Sequence, residues 1–183
     1  MTVYINGVLA RIGKSGLWWA LNKLLKGAGA GVDPTEIDMP AGVTKEFFVP
    51  ATGTLNGAAD ANYDNHATVY LGAVDQSAYI EFFVPHDFSS ITEAVVVIIP
   101  KMSRAAADYD IFSNYAASGQ PYTAHSESDL VTTYNTTANQ IFEVSIAGIL
   151  SSLAVGDYVG IRFFVAVAND DNCNVLGVRF KYS

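Results

Sequence analysis

From Val43 to Tyr182 the chain is a succession of short β-branched and aromatic runs, divided by clusters of Gly, Pro, Asn, Asp and Ser. The runs are Lys45–Val49, Thr68–Leu71, Ala78–Val84, Ala94–Ile99, Asp110–Tyr115, Asp129–Thr133, Gln140–Ile146, Tyr158–Val167 and Val175–Tyr182. None is followed by the long 3.6-residue periodicity of a crossover helix, so βαβ architecture is excluded. The spacing predicts an all-β fold, an antiparallel, jelly-roll-like β-sandwich of roughly eight strands. In Ala78–Val84, Tyr79, Glu81 and Phe83 alternate with Ile80, Phe82 and Val84, and Ala94–Ile99 is wholly apolar. Strands apolar on both faces lie inside a sandwich or at a contact between subunits. A brief helical turn is expected within Ile146–Leu153.

The first 31 residues read differently. Val3, Ile5 and Val8 belong to a short extended segment with a turn at Asn6-Gly7. Ser15 suits an N-cap, and Leu17, Leu21, Leu24 and Leu25 then form the stripe of one short amphipathic helix over 16–26. Gly27 ends it, and Gly27-Ala28-Gly29-Ala30-Gly31 is a flexible joint. The expected organisation is an arm at 1–31 and a sandwich domain at 32–183. Charge divides the same way. Residues 1–32 hold Arg11, Lys14, Lys23 and Lys26 and no acid, whereas residues 33–183 hold all 18 acids and six bases, 6 − 18 = −12. Such a body repels nucleic acid, and the basic arm fits an acidic surface, including that of a neighbouring copy. Leu17, Trp18, Trp19, Leu21, Leu24 and Leu25 are the candidate anchor of that arm in a protein groove.

Half of the residues are hydrophobic and only 15% are charged. That balance predicts apolar surface covered by copies of the same chain, with Val178, Phe180 and Tyr182 on the final strand as candidate contacts. No apolar run approaches the length of a transmembrane segment. Asn22-Lys23 interrupts Leu17–Leu21 before it reaches the length of a secretory core, so assembly inside a cell is expected. Cys173 is the single cysteine, which leaves no disulfide framework.

No nucleophile elbow, phosphate-binding loop, zinc-protease motif or dinucleotide fingerprint is present, and His66, His86 and His125 lack partners at ligand spacing. No catalytic residue and no cofactor is expected. Asp60, Asn62 and Asp64 place oxygens at alternate positions, as calcium loops do, but Asn65 and Leu71 stand where such a loop needs Gly and Glu. The segment reads first as an Asx-rich turn and second as a cation site. Tyr109, Tyr115, Tyr122 and Tyr134 fall in a Ser/Thr/Asn-rich stretch. Loops of that composition recognise glycans or proteins, and otherwise serve as loop anchors.

Leu150, Leu153, Gly156-Asp157, Tyr158–Val167 and the closing Val175–Tyr182 resemble the C-terminal part of trimeric jelly rolls such as tumour necrosis factor and complement heads. The body from Lys45 is similar to structural proteins of tailed phages and uncultured viruses. That likeness rests on Ala78-Tyr79-Ile80-Glu81-Phe82-Phe83-Val84-Pro85, Ala94–Pro100, Tyr115-Ala116-Ala117-Ser118-Gly119 and Gly156-Asp157-Tyr158-Val159. It implies a non-enzymatic virion structural protein, a capsid decoration or fibre-head subunit. Such a protein is assembled in the host cytoplasm as a homotrimer and held on the virion surface through its arm by a capsid protein. The alternatives are a receptor- or glycan-binding module working through the tyrosine-rich loops, and an extracellular filament or surface-layer subunit. A carbohydrate-active enzyme on a jelly roll would instead need paired carboxylates facing a cleft.

Overall fold

The computed structural model describes residues 43–166 and 172–183 in full, and elsewhere only the backbone of four short strands. The chain divides into two compact units, Met1–Val43 and Thr44–Ser183. In the first, β1 (Thr2–Ile5) pairs antiparallel with β2 (Val8–Arg11), and β3 (Lys23–Lys26) with β4 (Thr35–Asp38). Of the helix expected over 16–26, residues 16–22, with Leu17, Trp18, Trp19 and Leu21, lie outside the described residues, as does the Gly27–Gly31 joint. Its last turn is strand. Leu24 stands opposite Ile37 and Leu25 opposite Glu36. A helix of this length is marginal on its own, and Thr35–Asp38 offers these residues a strand partner. The boundary between the units falls at 43/44.

The second unit is a two-sheet antiparallel sandwich. Its strands are β5 (Lys45–Pro50), β6 (Gly53–Leu55), β7 (Ala59–Tyr63), β8 (His66–Leu71), β9 (Ser77–Phe83), β10 (Ile91–Pro100), β11 (Arg104–Ala117), β12 (His125–Asp129), β13 (Thr133–Thr136), β14 (Phe142–Ser145), β15 (Asp157–Val165) and β16 (Cys173–Tyr182). One sheet runs β14-β10-β16-β8-β7, with β5 also on β16. The other runs β12-β11-β15-β9-β6, with β13 also on β11. β8, β9, β10 and β11 alternate between the sheets. β15 then inserts between β11 and β9, and β16 between β10 and β8. That order is the double Greek key of a jelly roll. The expected turn is present as a 3-10 turn at Ala147–Ile149.

Two segments differ from the sequence reading. Asp129 ends β12 and Thr133 starts β13, so the strand expected over Asp129–Thr133 is broken by a connection at 130–132: the Asp129 carboxylate accepts from the backbone N–H of Val131 at 3.3 Å and of Thr132 at 3.1 Å. An aspartate that can close such a turn outweighs the β propensity of Val131 and Thr132. Asp60 and Asn62 lie on β7, opposite Val69 and Ala67, and only Asp64 is in a turn. Tyr63 pairs with His66 and Asp64 has φ +52°, so this is a two-residue hairpin. Among the described residues no group of three or more His, Cys, Asp or Glu side chains could hold a metal ion. No helix among them is long and apolar enough to cross a membrane.

Alternation along the pleat builds the core. Ala78, Ile80 and Phe82 of β9, Val159, Ile161, Phe163 and Val165 of β15, and Tyr109, Ile111 and Tyr115 of β11 are buried in one cluster with Ala94, Val96 and Ile98 of β10 and Val69 and Leu71 of β8. Val178, Phe180 and Tyr182 belong to this same cluster rather than to an exposed contact surface. β16 is a central strand, and its Phe180 ring sits 5.2 Å from Phe82 of the opposite sheet and 5.3 Å from Phe47. Each such side chain contributes about 1.5–3 kcal/mol by leaving water. At Gly177 the edge of β16 changes partner from β8 to β5. A Cβ there would lie 2.1 Å from the Val49 carbonyl oxygen and 2.8 Å from Pro50 Cα, so only glycine lets the two backbones meet.

Candidate functional site

Because the inward residues of β9, β11 and β15 are held by the core, their alternate residues must face outward together. Register arranges them in rows across three strands. Ala116, Tyr158 and Phe83 form the first row, Asn114, Gly160 and Glu81 the second, and Phe112, Arg162 and Tyr79 the third. The turn after β11 adds Ser118, Gly119, Gln120 and Tyr122. Gln120 donates its backbone N–H to the Ala117 carbonyl at 3.1 Å, and its side-chain oxygen accepts from Ala117 N–H at 3.1 Å. Together these residues line an open groove of about 910 Å³, inside the range that small-ligand sites occupy.

The groove has an aromatic platform at each end. Tyr158 is 62% exposed, and its ring meets Phe83 edge-on with centroids 5.1 Å apart. At the other end the Arg162 guanidinium lies 5.5 Å over Phe112 and 5.1 Å over Phe164, and its Nε donates to Ser77 Oγ at 3.0 Å. That bond and the two rings fix the arginine beside Tyr79. The floor between the platforms is polar: Asn114 on one flank, exposed Glu81 on the other, and bare backbone at Gly160 between them. Asn114 Oδ1 is buried without a hydrogen-bond partner, a state that costs about 1–3 kcal/mol. Tyr122, 80% exposed, stands on the turn. The groove thus combines flat apolar faces with an amide, a carboxylate and a guanidinium.

Of the four tyrosines singled out by sequence, only Tyr122 lines this groove. Tyr109 and Tyr115 alternate inward on β11 and are buried. Tyr109 packs 5.1 Å from Phe163, and Tyr134 packs 6.1 Å from Tyr109 and 6.0 Å from Phe142. The Tyr115 hydroxyl donates to Glu127 Oε1 at 2.6 Å and accepts from Ser152 N–H at 3.0 Å, while Ser151 Oγ donates to Glu127 at 2.7 Å. This knot ties β12 to the turn at Ser151. Burial raises the Tyr115 phenol above its ordinary value, and the bond to Glu127 adds to the shift. For Glu127 burial pushes upward, but the bonds from Tyr115 and Ser151 outweigh it and hold the carboxyl below its usual range. Beyond Phe112 on the same strand, Asp110 is raised by burial and then by the charges of Asp108 and Asp129. Tyr79, Glu81, Phe83, Phe112, Asn114, Tyr158 and Arg162 were missed as a site. The available signal was the polar–aromatic half of the two-sided strands and a glycine inside a strand.

No protein-family model and no curated protein matches the chain. Several solved structures are similar to part of the chain. The CBM36-1 domain of a multidomain xylanase from the hindgut metagenome of Trinervitermes trinervoides is 11% identical with a TM-score of 0.41, over 74% of this chain and 96% of that one. The low-affinity xylan-binding module CBM86 from Roseburia intestinalis is 12% identical with a TM-score of 0.41, over 78% and 97%. The xylan-binding module CBM15 is 10% identical with a TM-score of 0.43, over 77% and 97%. At such identities and TM-scores neither a fold nor a ligand is transferred to this chain.

Proposed function

We propose that the chain is a non-catalytic glycan-binding module and that the outer face of β9, β15 and β11 is its binding surface. The observation that carries this reading is the exposed Tyr158–Phe83 pair at one end of a groove floored by Asn114, Glu81 and Gly160, with Arg162 at the other end. A pyranose ring has apolar C–H faces and a rim of hydroxyls. It therefore fits a surface in which rings take the faces while planar amide, carboxylate and guanidinium groups take the rim. The glycan-binding alternative thus takes precedence over a capsid-decoration or fibre-head role, and the working residues are on a sheet face rather than in the tyrosine-rich loops. Self-association, attachment by residues 1–31 and a place on a virion surface are compatible with such a module, but no observation on the sandwich favours them. Affinity electrophoresis of the full chain through gels holding neutral or acidic polysaccharides tests the reading. Retardation in at least one gel, lost in Tyr158→Ala, is expected. Free migration in every gel would overturn it.

A further inference from the structure

Three glycines stand inside strands of the sandwich, and two have a packing reason. A Cβ on Gly53 would lie 2.8 Å from Tyr79 Cβ, and one on Gly177 would lie 2.1 Å from Val49 O. Gly160 has none: the nearest atom to a Cβ there is Asn114 O at 3.8 Å, an ordinary contact distance. It also has no positive φ to satisfy, unlike Gly177 at +156°. A glycine weakens a strand interior, and where neither backbone nor packing requires one, close approach of a ligand is the remaining physical reason. Gly160 lies midway between the two aromatic platforms. Tyr158 and Arg162, which mark them, are four residues apart on β15, about 13 Å along an extended strand. That distance exceeds one sugar ring. The charged groups lining the groove are one acid, Glu81, and one base, Arg162. The sandwich around them, residues 44–183, holds 15 acids and six bases, 6 − 15 = −9.

Resting on the glycan reading above, we infer that the groove takes the interior of a neutral oligosaccharide chain laid along β15, one sugar on the Tyr158–Phe83 platform, another at the Arg162 end beside Tyr79, and the stretch between them seated on the bare backbone of Gly160. Polyanions are turned away by the net charge of the body.

The full chain, titrated calorimetrically with a neutral polysaccharide retained in the gels and with its mono- to hexasaccharides, tests this. Affinity should be undetectable for the monosaccharide and should rise until the oligomer spans both platforms. Gly160→Val, which fills the notch while supplying a better strand former, should keep the parent Tm and lose at least about tenfold in affinity, and Tyr79→Ala should lose a similar factor. If Gly160→Val and Tyr79→Ala bind as the parent does while Tyr158→Ala does not, the bridging chain is wrong and the glycan reading stands. Tight binding of the monosaccharide, or retention only by acidic polysaccharides, also overturns this inference alone. Binding to no saccharide overturns both.

Discussion

Gly177→Ala should be among the most damaging one-carbon changes available in this sandwich. The added methyl would stand 2.1 Å from the Val49 carbonyl oxygen and 2.8 Å from Pro50 Cα. Both are backbone atoms, so no rotamer change relieves the clash. Overpacking of this kind costs about 1–3 kcal/mol, and holding a residue with a side chain at φ +156° costs about 1–3 kcal/mol more. The sum is about 2–6 kcal/mol, and a domain of this size loses about 2–4 °C of Tm per kcal/mol. Differential scanning calorimetry should therefore show Tm falling by roughly 10 °C. Hydrogen exchange should speed up first along Lys45–Pro50, which must move away from β16. An unchanged Tm would refute the claim that β16 and β5 meet through this glycine. Gly160→Ala is the matched control, since its methyl meets nothing closer than 3.8 Å, and its Tm should hold or rise.

Phe180→Ala removes the ring at the centre of the Phe47–Phe82–Phe88–Tyr182 cluster and should cost about 3–5 kcal/mol in denaturant unfolding. Glu127→Gln should lower Tm at neutral pH. The carboxyl is held low in the folded state, so its contribution is present above the unfolded value of about 4.3 and fades as pH falls through the folded one, where variant and parent should converge. Asp110→Asn should do the opposite. A raised carboxyl contributes fully below the unfolded value of about 3.9 and loses that contribution as pH rises through the folded one, so the variant gains Tm near neutrality and gains nothing in acid. A fragment of residues 44–183 should melt cooperatively on its own, because the unit encloses its own core.

The strand pattern was legible because one face of most strands is buried, and burial writes a period of two into the sequence. It named β9 as a strand without naming which half of Tyr79-Ile80-Glu81-Phe82-Phe83 faced inward, since both halves carry rings. That choice depends on Phe82 meeting Phe47 and Phe180, which are remote in sequence. The groove was hidden for the same reason: register alone brings Tyr79, Asn114 and Tyr158 to one face. Tyr109 and Tyr115 sit in a Ser/Thr/Asn-rich stretch of loop-like composition, although Asp110–Tyr115 within it reads as a strand; β11 runs over all of Arg104–Ala117, and its outward side carries the polar Asp108, Asp110 and Asn114. Asp60 and Asn62 misled in the opposite sense, being polar because they face outward on β7 rather than because they turn.

The most direct test of the binding surface is calorimetric titration of the full chain and of Tyr158→Ala with the polysaccharide that retards the parent. Tyr158 is largely exposed and contributes little to the core, so Tm should be the same for both. Affinity should fall at least about tenfold, equivalent to about 1.4 kcal/mol. Equal affinity in the two proteins would contradict the account and move the site off the β9–β15–β11 face.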